Sequence, residues 1–335
     1  MGVIIKEIEY YLPEQVVTNS DLGKENPEWD IEKIEKKSGV KNRHIAGVNE
    51  TALDLGIKAI EKIFERGKIS KDEIDVIIFC TQSQDYIMPA NSFLIHKHFN
   101  FKQEVWTFDY NLACSGYIFG LGIIRGLIET GLAKNVLLVN AETYSKYLNP
   151  KDRSTTILFG DGGAASIISK EDEGGIIDIV LSSNGDKFDT FYIPAGGMKT
   201  PKSDSTSKSI ADNSGNMKSL ENIHMNGFAV WQFISKNVSK QISYLLEKNK
   251  LKTDDIDLFI FHQASKLTLD SLMKSLKLKE DKVFVNLQDI GNTVSASIPI
   301  AIKDAEQKGK LKRGDLILLS GFGVGLSWGS ILMKY

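Results

Sequence analysis

Cysteine is scarce in this chain, since only Cys80 and Cys114 occur among its 335 residues. Two thiols cannot build a disulfide framework, and such low usage fits a reducing compartment, which predicts a cytoplasmic protein. The first residues lack the charged and apolar regions of a signal peptide. No apolar run approaches the roughly 18 residues that a membrane helix needs, so we expect no membrane partner.

The chain also has no excess of positive charge. Lysine and arginine number 41 against 43 aspartate and glutamate residues, which gives a net charge of −2. Proteins that bind nucleic acid carry basic fields, so this balance predicts no nucleic-acid partner. A hydrophobic fraction of 42% and a charged fraction of 25% are ordinary for a globular enzyme, and the length favours two domains or two halves of one large domain.

Short β-branched segments alternate with longer amphipathic ones, which predicts a layered α/β fold. The expected strands are residues 3–9, 75–80, 135–140, 164–169, 176–182, 257–261, 283–285, 316–319 and 330–333. The expected helices are residues 52–66, 90–99, 115–130, 227–249, 265–276 and 294–308.

Two pairs of segments indicate an internal duplication. Residues 74–79 (Ile-Asp-Val-Ile-Ile-Phe) resemble residues 256–261 (Ile-Asp-Leu-Phe-Ile-Phe), and residues 166–170 resemble residues 330–334 in the same order. We therefore expect two similar halves, residues 1–170 and 171–335, although βα units can also converge by chance. Equivalent parallel strands would bring their C-terminal loops to one surface, which is where ligands bind.

Residues 196–221 interrupt this pattern and are rich in Ser, Lys, Asp, Asn and Gly. Long loops of this kind are binding loops, lids or disordered segments. We expect a mobile excursion that forms a flap over the functional site.

Cys114 is the strongest candidate for a nucleophile. It lies among small residues where a strand-like segment changes into a helix. Amides at a helix N-terminus attract negative charge, so we expect a lowered thiol pKa and a thiolate that can accept an acyl group from a thioester. A buried cysteine that only packs is the alternative.

Two further segments supply neutral hydrogen-bond donors. His262 ends an apolar strand, and Asn292 follows a glycine; a core histidine and a turn asparagine are the structural alternatives. Together the two side chains could bind a thioester carbonyl and stabilise an enolate, chemistry that needs neither a metal nor a redox cofactor. The glycines of residues 321–325 do not match a phosphate loop, and they predict a close backbone approach whose amides complete an oxyanion hole.

Five motifs occur in order along the chain: Ala-Cys-Ser-Gly at 113–116, Phe-Gly-Asp-Gly at 159–162, His-Gln-Ala at 262–264, Gly-Asn-Thr at 291–293 and Gly-Phe-Gly-Val-Gly-Leu-Ser-Trp-Gly at 321–329. With them the whole chain resembles the β-ketoacyl-acyl-carrier-protein synthase III family of the thiolase superfamily. The resemblance implies a thiolase-like fold, with duplicated βαβαβ halves in an α/β/α/β/α arrangement. It also implies a homodimer in which Met88 reaches the partner's acyl pocket while Phe159 lines a pocket; a core position is the alternative for Met88.

The resemblance further implies a mechanism. Cys114 would accept an acyl group from acyl-CoA or an acyl carrier protein. His262 and Asn292 would promote decarboxylation of malonyl carrier protein or another malonyl thioester, and the carbanion would attack the acyl group to give a β-ketoacyl thioester. The backbone amides of Cys114 and Val324 would form the oxyanion hole. Acyl-CoA and the malonyl thioester would be substrates, with no resident cofactor and no metal.

Several positions depart from the family pattern. Where the family holds the coenzyme A adenine with a tryptophan and an arginine, this chain has Lys33 and Lys37, whereas Arg153 matches the other coenzyme-binding arginine. Lysine offers neither a stacking surface nor a planar guanidinium. Lys266 is a candidate cation for an acidic carrier. These differences predict weaker binding of coenzyme A or a protein-bound donor, and a specialised synthase rather than the housekeeping initiator of fatty-acid synthesis.

Two other functions stay open on sequence alone. The first is an acyltransferase on the same scaffold that forms an ester or an amide without decarboxylation. The second is an inactive partner subunit, which the retention of the thiol, the imidazole and the amide argues against. Acyl chain length depends on packing that sequence patterns do not fix.

Overall fold

Two five-stranded sheets organise the chain, for which a computed structural model describes residues 2–335. The first half contributes the strands β1 (Gly2–Tyr11), β2 (Val16–Thr18), β3 (Asn42–His44), β4 (Val76–Cys80), β5 (Trp106–Tyr110), β6 (Asn135–Glu142) and β7 (Gly162–Glu171). Its α-helices are α1 (Asn19–Glu25), α2 (Ile31–Ser38), α3 (Ala52–Glu65), α4 (Asn91–His98), α5 (Gly116–Glu129) and α6 (Arg153–Thr156).

The second half follows the same alternation of strands and helices. Its strands are β8 (Gly175–Ser183), β9 (Phe191–Tyr192), β10 (Ile210–Ala211), β11 (Met217–Lys218), β12 (His224–Met225), β13 (Leu258–Phe261), β14 (Val283–Phe284), β15 (Leu316–Gly323) and β16 (Ser327–Lys334). Its α-helices are α7 (Gly227–Phe233), α8 (Ser239–Lys248), α9 (Lys266–Leu276), α10 (Leu287–Ile290) and α11 (Ser297–Gln307).

The two sheets have the same strand order. The first runs β1-β7-β6-β4-β5 and the second runs β8-β16-β15-β13-β14. In each sheet β4 or its counterpart β13 pairs in parallel with both neighbours, whereas the remaining pairs are antiparallel. The similar sequence segments lie on the equivalent strands β4 and β13, and on β7 and β16. The expected duplication of the fold is therefore confirmed, while the domain boundary at residue 170 stays a prediction.

Helices form three layers around the two sheets. Helices α5 and α11 lie between the sheets, where Ile118 and Ile302 join one buried cluster with strand residues of both halves. Helices α3 and α4 cover the outer face of the first sheet, and α8 and α9 cover that of the second. This is the α/β/α/β/α stack that the sequence resemblance implied. Within residues 2–335, no helix combines the length and the apolar character needed to cross a bilayer.

The sequence prediction omitted β5, the strand that leads to Cys114. Its sequence mixes polar and aromatic residues and its side chains are only partly buried, because β5 is an edge strand with one neighbour. It also omitted α1 and α2. Thr18 and Asp30 cap these helices, but each helix is short, so its sequence pattern is weak. The helix expected over residues 227–249 contains a π-helical turn, Ile234–Val238, between α7 and α8.

The excursion of residues 196–221 is folded against the first half. Strands β10 and β11 pair within it, and the Met217 amide donates a hydrogen bond of 3.2 Å to the Lys151 carbonyl. The Lys218 ammonium lies 3.9 Å from the fully buried carboxylate of Asp152. These contacts anchor the segment beside α6; its mobility stays a prediction.

A buried ammonium group joins α11 to β1. Lys303 is 3% exposed, and its Nζ lies 2.8 Å from a Glu9 carboxylate oxygen and 3.6 Å from one of Glu7. Arg66, at the end of α3, also contacts Glu9. Buried charges are tolerated only when they are paired. This cluster therefore holds helix α11, which lies between the two sheets, against β1 of the first sheet.

Replacing Lys303 with methionine should destabilise the protein by about 3–5 kcal/mol, because the Glu7 and Glu9 carboxylates lose a buried partner. Chemical denaturation followed by circular dichroism measures this loss. The matched control is Lys312→Met at an exposed position, which should change the free energy of unfolding by less than about 0.5 kcal/mol. Equal stabilities of Lys303→Met and wild type would show that the carboxylates do not depend on this cation.

Candidate active site

Cys114 lies between β5 and α5, beneath a strand from the other half. Its side chain is 3% exposed. Gly323 on β15 passes so close that a Cβ there would meet the Cys114 Cβ at 2.7 Å and its Sγ at 2.9 Å. A Cβ at Gly321 would meet the Cys114 carbonyl oxygen at 2.8 Å. The glycines therefore permit the close backbone approach that the sequence predicted, and they bring the two halves together at the sulfur.

Burial raises the pKa of the Cys114 thiol, and the negative charge of Glu142 raises it further. The expectation of a thiol acidified by the helix N-terminus is therefore wrong for the site as described here. Helix α5 does begin two residues later, but the cost of removing a thiolate from water outweighs the attraction of the amides. Cys114 therefore rests as a thiol, and its proton must leave when it attacks a substrate.

His262 follows β13 and is 1% exposed. Its Nδ1 and the Ser297 Oγ form a hydrogen bond of 2.6 Å, and its ring meets the Phe322 ring edge-on with centroids 5.6 Å apart. Burial lowers the pKa of His262 to about 3, so the imidazole is neutral near pH 7. With Nδ1 engaged by Ser297, Nε2 is left for a substrate. Sequence analysis missed Ser297, which no local motif marks.

Asn292 has a fixed side-chain orientation. The Val294 amide donates a hydrogen bond of 2.9 Å to its Oδ1, so Nδ2 carries the donors. Within residues 2–335, Nδ2 makes one hydrogen bond, a long one of 3.5 Å to the Ala264 carbonyl. Val294 has a φ of 53°, which is rare for a β-branched residue. The loop therefore adopts a strained backbone conformation. In this conformation the Asn292 Nδ2 group can donate a hydrogen bond to a substrate carbonyl.

The Phe-Gly-Asp-Gly motif positions this asparagine. Phe159 and Asn292 are bridged as in a parallel sheet, and the Gly160 amide donates a hydrogen bond of 3.0 Å to the Asn292 carbonyl. A Cβ at Gly160 would collide with the carbonyl oxygen of Ile290, so the approach requires glycine. Asp161 accepts hydrogen bonds from two backbone amides and fixes the loop, while burial raises its pKa to about 6.

Cys114, His262 and Asn292 line one cavity of about 620 Å³. Cys114 and His262 directly follow β5 and β13, whereas Asn292 follows the short helix α10 that comes after β14. All three therefore lie beyond strand ends, as the arrangement of the two halves predicted. Cavities of this size hold small-molecule ligands. The structure thus brings a thiol, a neutral imidazole and a carboxamide donor into one cavity.

Three residues predicted to bind substrate also line this cavity: Lys37, Arg153 and Phe159. The tip of the long excursion contributes Ser214 and Asn216 to the same wall. The excursion therefore borders the site as the expected flap would. The binding roles of the three predicted residues stay predictions.

The backbone amides of Cys114 and Val324 were predicted to form an oxyanion hole, and Val324 packs against the buried cluster that contains Cys114. Val324 follows Gly323, whose backbone touches the Cys114 side chain. Among residues 2–335, neither amide donates a hydrogen bond to another residue. An oxyanion hole requires N–H groups that have no other acceptor. The assignment of these two amides to an oxyanion hole stays a prediction.

Two other predicted residues lie outside the cavity. Met88 is 79% exposed, so its alternative assignment to the core of this chain is wrong. Lys266 begins α9 on the surface, where its ammonium lies 2.9 Å from the Asp270 carboxylate, and it is not among the residues that line this cavity. Trp29 cannot supply the missing stacking surface, because it is 9% exposed in a small core cluster.

Glu142 is a buried carboxylate that sequence analysis did not identify. It accepts hydrogen bonds from the Gln82 amide at 3.0 Å, the Ser83 hydroxyl at 2.8 Å and the Ser295 hydroxyl at 3.0 Å. Burial raises its pKa to about 8. The carboxylate therefore ties the loop after β4 to the loop that carries Asn292. In the sequence, the one indication of this role is that an acidic residue ends the otherwise apolar strand β6.

Comparison with known families supports the geometry. Residues 108–185 match the family model of 3-oxoacyl-[acyl-carrier-protein (ACP)] synthase III, and residues 246–335 match the model of the C-terminal part of that family. The β-ketoacyl-[acyl-carrier-protein] synthase III of Campylobacter fetus is 39% identical, over 97% of this chain and 96% of its own length.

Solved structures agree with these matches. A crystal structure of a 3-oxoacyl-(acyl-carrier-protein) synthase III has a TM-score of 0.97 at 38% identity and covers 100% of both chains. The 3-oxoacyl-[acyl-carrier-protein] synthase III of Aquifex aeolicus has a TM-score of 0.87 at 34% identity, again over 100% of both chains. This chain therefore belongs to the 3-oxoacyl-[acyl-carrier-protein] synthase III family of acyltransferases.

Proposed function

We propose that this protein is a β-ketoacyl-acyl-carrier-protein synthase III. An acyl group passes from acyl-CoA or acyl carrier protein to Cys114. A decarboxylative Claisen condensation with malonyl carrier protein or another malonyl thioester then gives a β-ketoacyl thioester. The observation that carries the proposal is the single cavity shared by Cys114, His262 and Asn292.

In the loading step, the Cys114 sulfur attacks the carbonyl carbon of the donor thioester as its proton leaves. The amides of Cys114 and Val324 hold the oxyanion that forms. The bond between the carbonyl carbon and the carrier sulfur then breaks, and the carrier thiolate takes up a proton. One thioester replaces another, so the step needs no further energy source.

In the condensation step, the malonyl thioester carbonyl accepts hydrogen bonds from His262 Nε2 and Asn292 Nδ2. The bond to the terminal carboxylate breaks, carbon dioxide leaves, and the electron pair forms an enolate that both donors stabilise. The enolate carbon attacks the acyl carbon on Cys114, and the sulfur leaves and regains a proton. A neutral imidazole suits this step because it brings no acidic proton to quench the carbanion.

An acyltransferase that forms an ester or an amide is the alternative. Such an enzyme needs a general base to take a proton from an alcohol or an amine, and a base works best when its pKa is near the working pH. His262, with its pKa lowered to about 3, is poorly suited to that role. The neutral site therefore favours condensation.

We propose that both thioester substrates enter on carriers that bear phosphate. Lys37 and Arg153 line the cavity, and cations of this kind pair with the phosphates of coenzyme A or of the phosphopantetheine arm on an acyl carrier protein. Lys266 remains a candidate contact for an acidic carrier on the surface outside the cavity. The assignment to a specialised pathway stays a prediction from the sequence departures.

A homodimer is proposed at the open edge of the first sheet. Strand β5 has one neighbour in its sheet, and an unpaired edge strand offers its backbone to another chain. Next to this edge, Tyr86, Ile87 and Met88 are 58%, 82% and 79% exposed. A contiguous exposed apolar patch marks a protein interface, so a second copy of the chain would cover both features.

We propose a cytoplasmic location because both cysteines are free thiols. Cys80 and Cys114 are both free and buried. Cys114 acts as a nucleophile only in its reduced form, and cytoplasmic proteins keep their thiols reduced.

Replacing Cys114 with alanine should abolish acyl loading, because the attacking sulfur is lost. Intact-protein mass spectrometry after incubation with acetyl-CoA measures the gain in mass. Cys80→Ala removes the other thiol and serves as the matched control, which should still load. An acyl adduct on the Cys114→Ala protein at the wild-type level would contradict the assignment.

His262→Ala and Asn292→Ala should each load the acyl group but release carbon dioxide from malonyl carrier protein about 10²–10³-fold more slowly, the usual effect of removing an oxyanion donor. Release of labelled carbon dioxide measures the step, with His96→Ala, outside the cavity, as the control. If the wild-type protein loads acyl groups and releases no carbon dioxide, the ester-forming or amide-forming alternative is favoured.

Ile87→Asp should convert the dimer to a monomer, because a buried charge in an apolar interface lacks a partner. Sedimentation velocity at micromolar concentration gives the oligomeric state. Leu132→Asp, at another exposed apolar position, should leave the dimer intact. A wild-type protein that sediments as a monomer would rule out this interface.

A further inference from the structure

The backbone of Asn292 is fixed by the segment that precedes β7. The Asn292 amide donates a hydrogen bond of 2.8 Å to the Leu158 carbonyl, and the Gly160 amide donates one of 3.0 Å to the Asn292 carbonyl. These bonds place the backbone of Asn292, but they do not set the direction of its carboxamide. That direction depends on the Val294 amide, which donates to Asn292 Oδ1 at 2.9 Å.

The direction of the Val294 amide depends in turn on a strained backbone. The φ of 53° at Val294 is one that β-branched residues rarely adopt, and such a conformation persists only where the surrounding contacts hold it. The residue that follows supplies a polar contact. Ser295 is 1% exposed, and its hydroxyl donates a hydrogen bond of 3.0 Å to Glu142 Oε1. The strained residue is therefore flanked by Asn292 on one side and by a link to Glu142 on the other.

Glu142 is a rigid anchor for this link. It ends β6, which pairs with β4 on one side and with β7 on the other, and its side chain is fully buried. The Ser83 hydroxyl donates to Glu142 Oε2 at 2.8 Å, and the Gln82 amide donates to the same oxygen at 3.0 Å. Ser83 and Gln82 belong to the first half, whereas Ser295 belongs to the second. The Ser295 hydroxyl therefore connects the loop that carries Asn292 to a fixed point of the first sheet.

We propose that Glu142 is a positioning residue for the condensation: through Ser295 it holds Val294 in its strained conformation and so orients Asn292 Nδ2 towards the malonyl thioester carbonyl. This inference rests on the proposed role of Asn292 in decarboxylation. Glu142 is not among the residues that line the cavity of Cys114, so it acts through the loop and does not touch the substrate. A displacement of about 1 Å at a reacting centre can lower a rate by about 10²-fold, so the orientation of one donor is sufficient to control this step.

Ser295→Ala tests the proposal, because it removes the link and leaves both Glu142 and Asn292 in place. We expect the variant to load the acyl group from acetyl-CoA as the wild type does, measured by intact-protein mass spectrometry. Its release of labelled carbon dioxide from malonyl carrier protein should be about 10-fold or more slower. The loss should appear in kcat, with a similar KM for malonyl carrier protein, since the donor acts on the enolate as it forms.

The matched control is Ser83→Ala, which removes a second hydroxyl from the same carboxyl group. Ser83 lies in the loop after β4 and does not belong to the segment that carries Asn292, so this variant should release carbon dioxide at close to the wild-type rate. Glu142→Gln keeps the size of the side chain but replaces one acceptor oxygen with a donor. It should slow carbon dioxide release as Ser295→Ala does.

Ser295→Ala in an Asn292→Ala background separates positioning from a general structural role. A residue that acts through Asn292 has little further effect once that side chain is gone, so the two losses should not multiply. Losses that multiply would overturn the proposal. So would wild-type carbon dioxide release in Ser295→Ala, an equal loss in Ser83→Ala, or a matching loss of acyl loading. If Asn292→Ala alone releases carbon dioxide at the wild-type rate, the proposed function of Asn292 fails instead, so the two failures are distinguishable.

Discussion

The contact between β15 and Cys114 is the constraint on which the site depends. Two glycines, Gly321 and Gly323, let this strand of the second half lie directly against Cys114 of the first half. The same strand receives a hydrogen bond of 2.8 Å from the His262 amide at the Ser320 carbonyl, and it continues to Val324. A single strand therefore contacts the sulfur, the His262 backbone and the residue proposed to supply one oxyanion amide. Any side chain at Gly323 would separate the two halves at the point where the chemistry occurs.

Burial shifts the pKa values of Cys114 and His262 in opposite directions, and both shifts favour the neutral form of the side chain. Burial raises the pKa of the Cys114 thiol and lowers that of the His262 imidazole, because each shift disfavours the charged form. An enolate is protected in such a site, since no imidazolium is present to protonate it. The cost falls on the loading step, where the buried thiol must lose its proton.

The sequence was sufficient to predict features that local patterns encode. The repeated segments of residues 74–79 and 256–261 predicted equivalent strands in two sheets, and the glycines of residues 321–325 predicted a close backbone approach. The direction of the Cys114 pKa shift was not predictable, because it depends on burial by distant segments rather than on the helix that follows. Ser297 and Glu142 were missed for the same reason: each acts through a partner far away in the chain, on His262 and on Ser295 respectively.

A single cavity that serves two thioester substrates imposes an order on the reaction. The arm of the donor and the arm of the malonyl carrier must reach the same sulfur through the space that Cys114, His262 and Asn292 line. In a two-step reaction in which one arm occupies this space at a time, the donor carrier has to leave before the malonyl carrier enters. The acyl group must then remain on Cys114 without occupying the vacated space. The order of binding is thus a consequence of one shared cavity, in which the acyl group on Cys114 has to leave room for the second substrate.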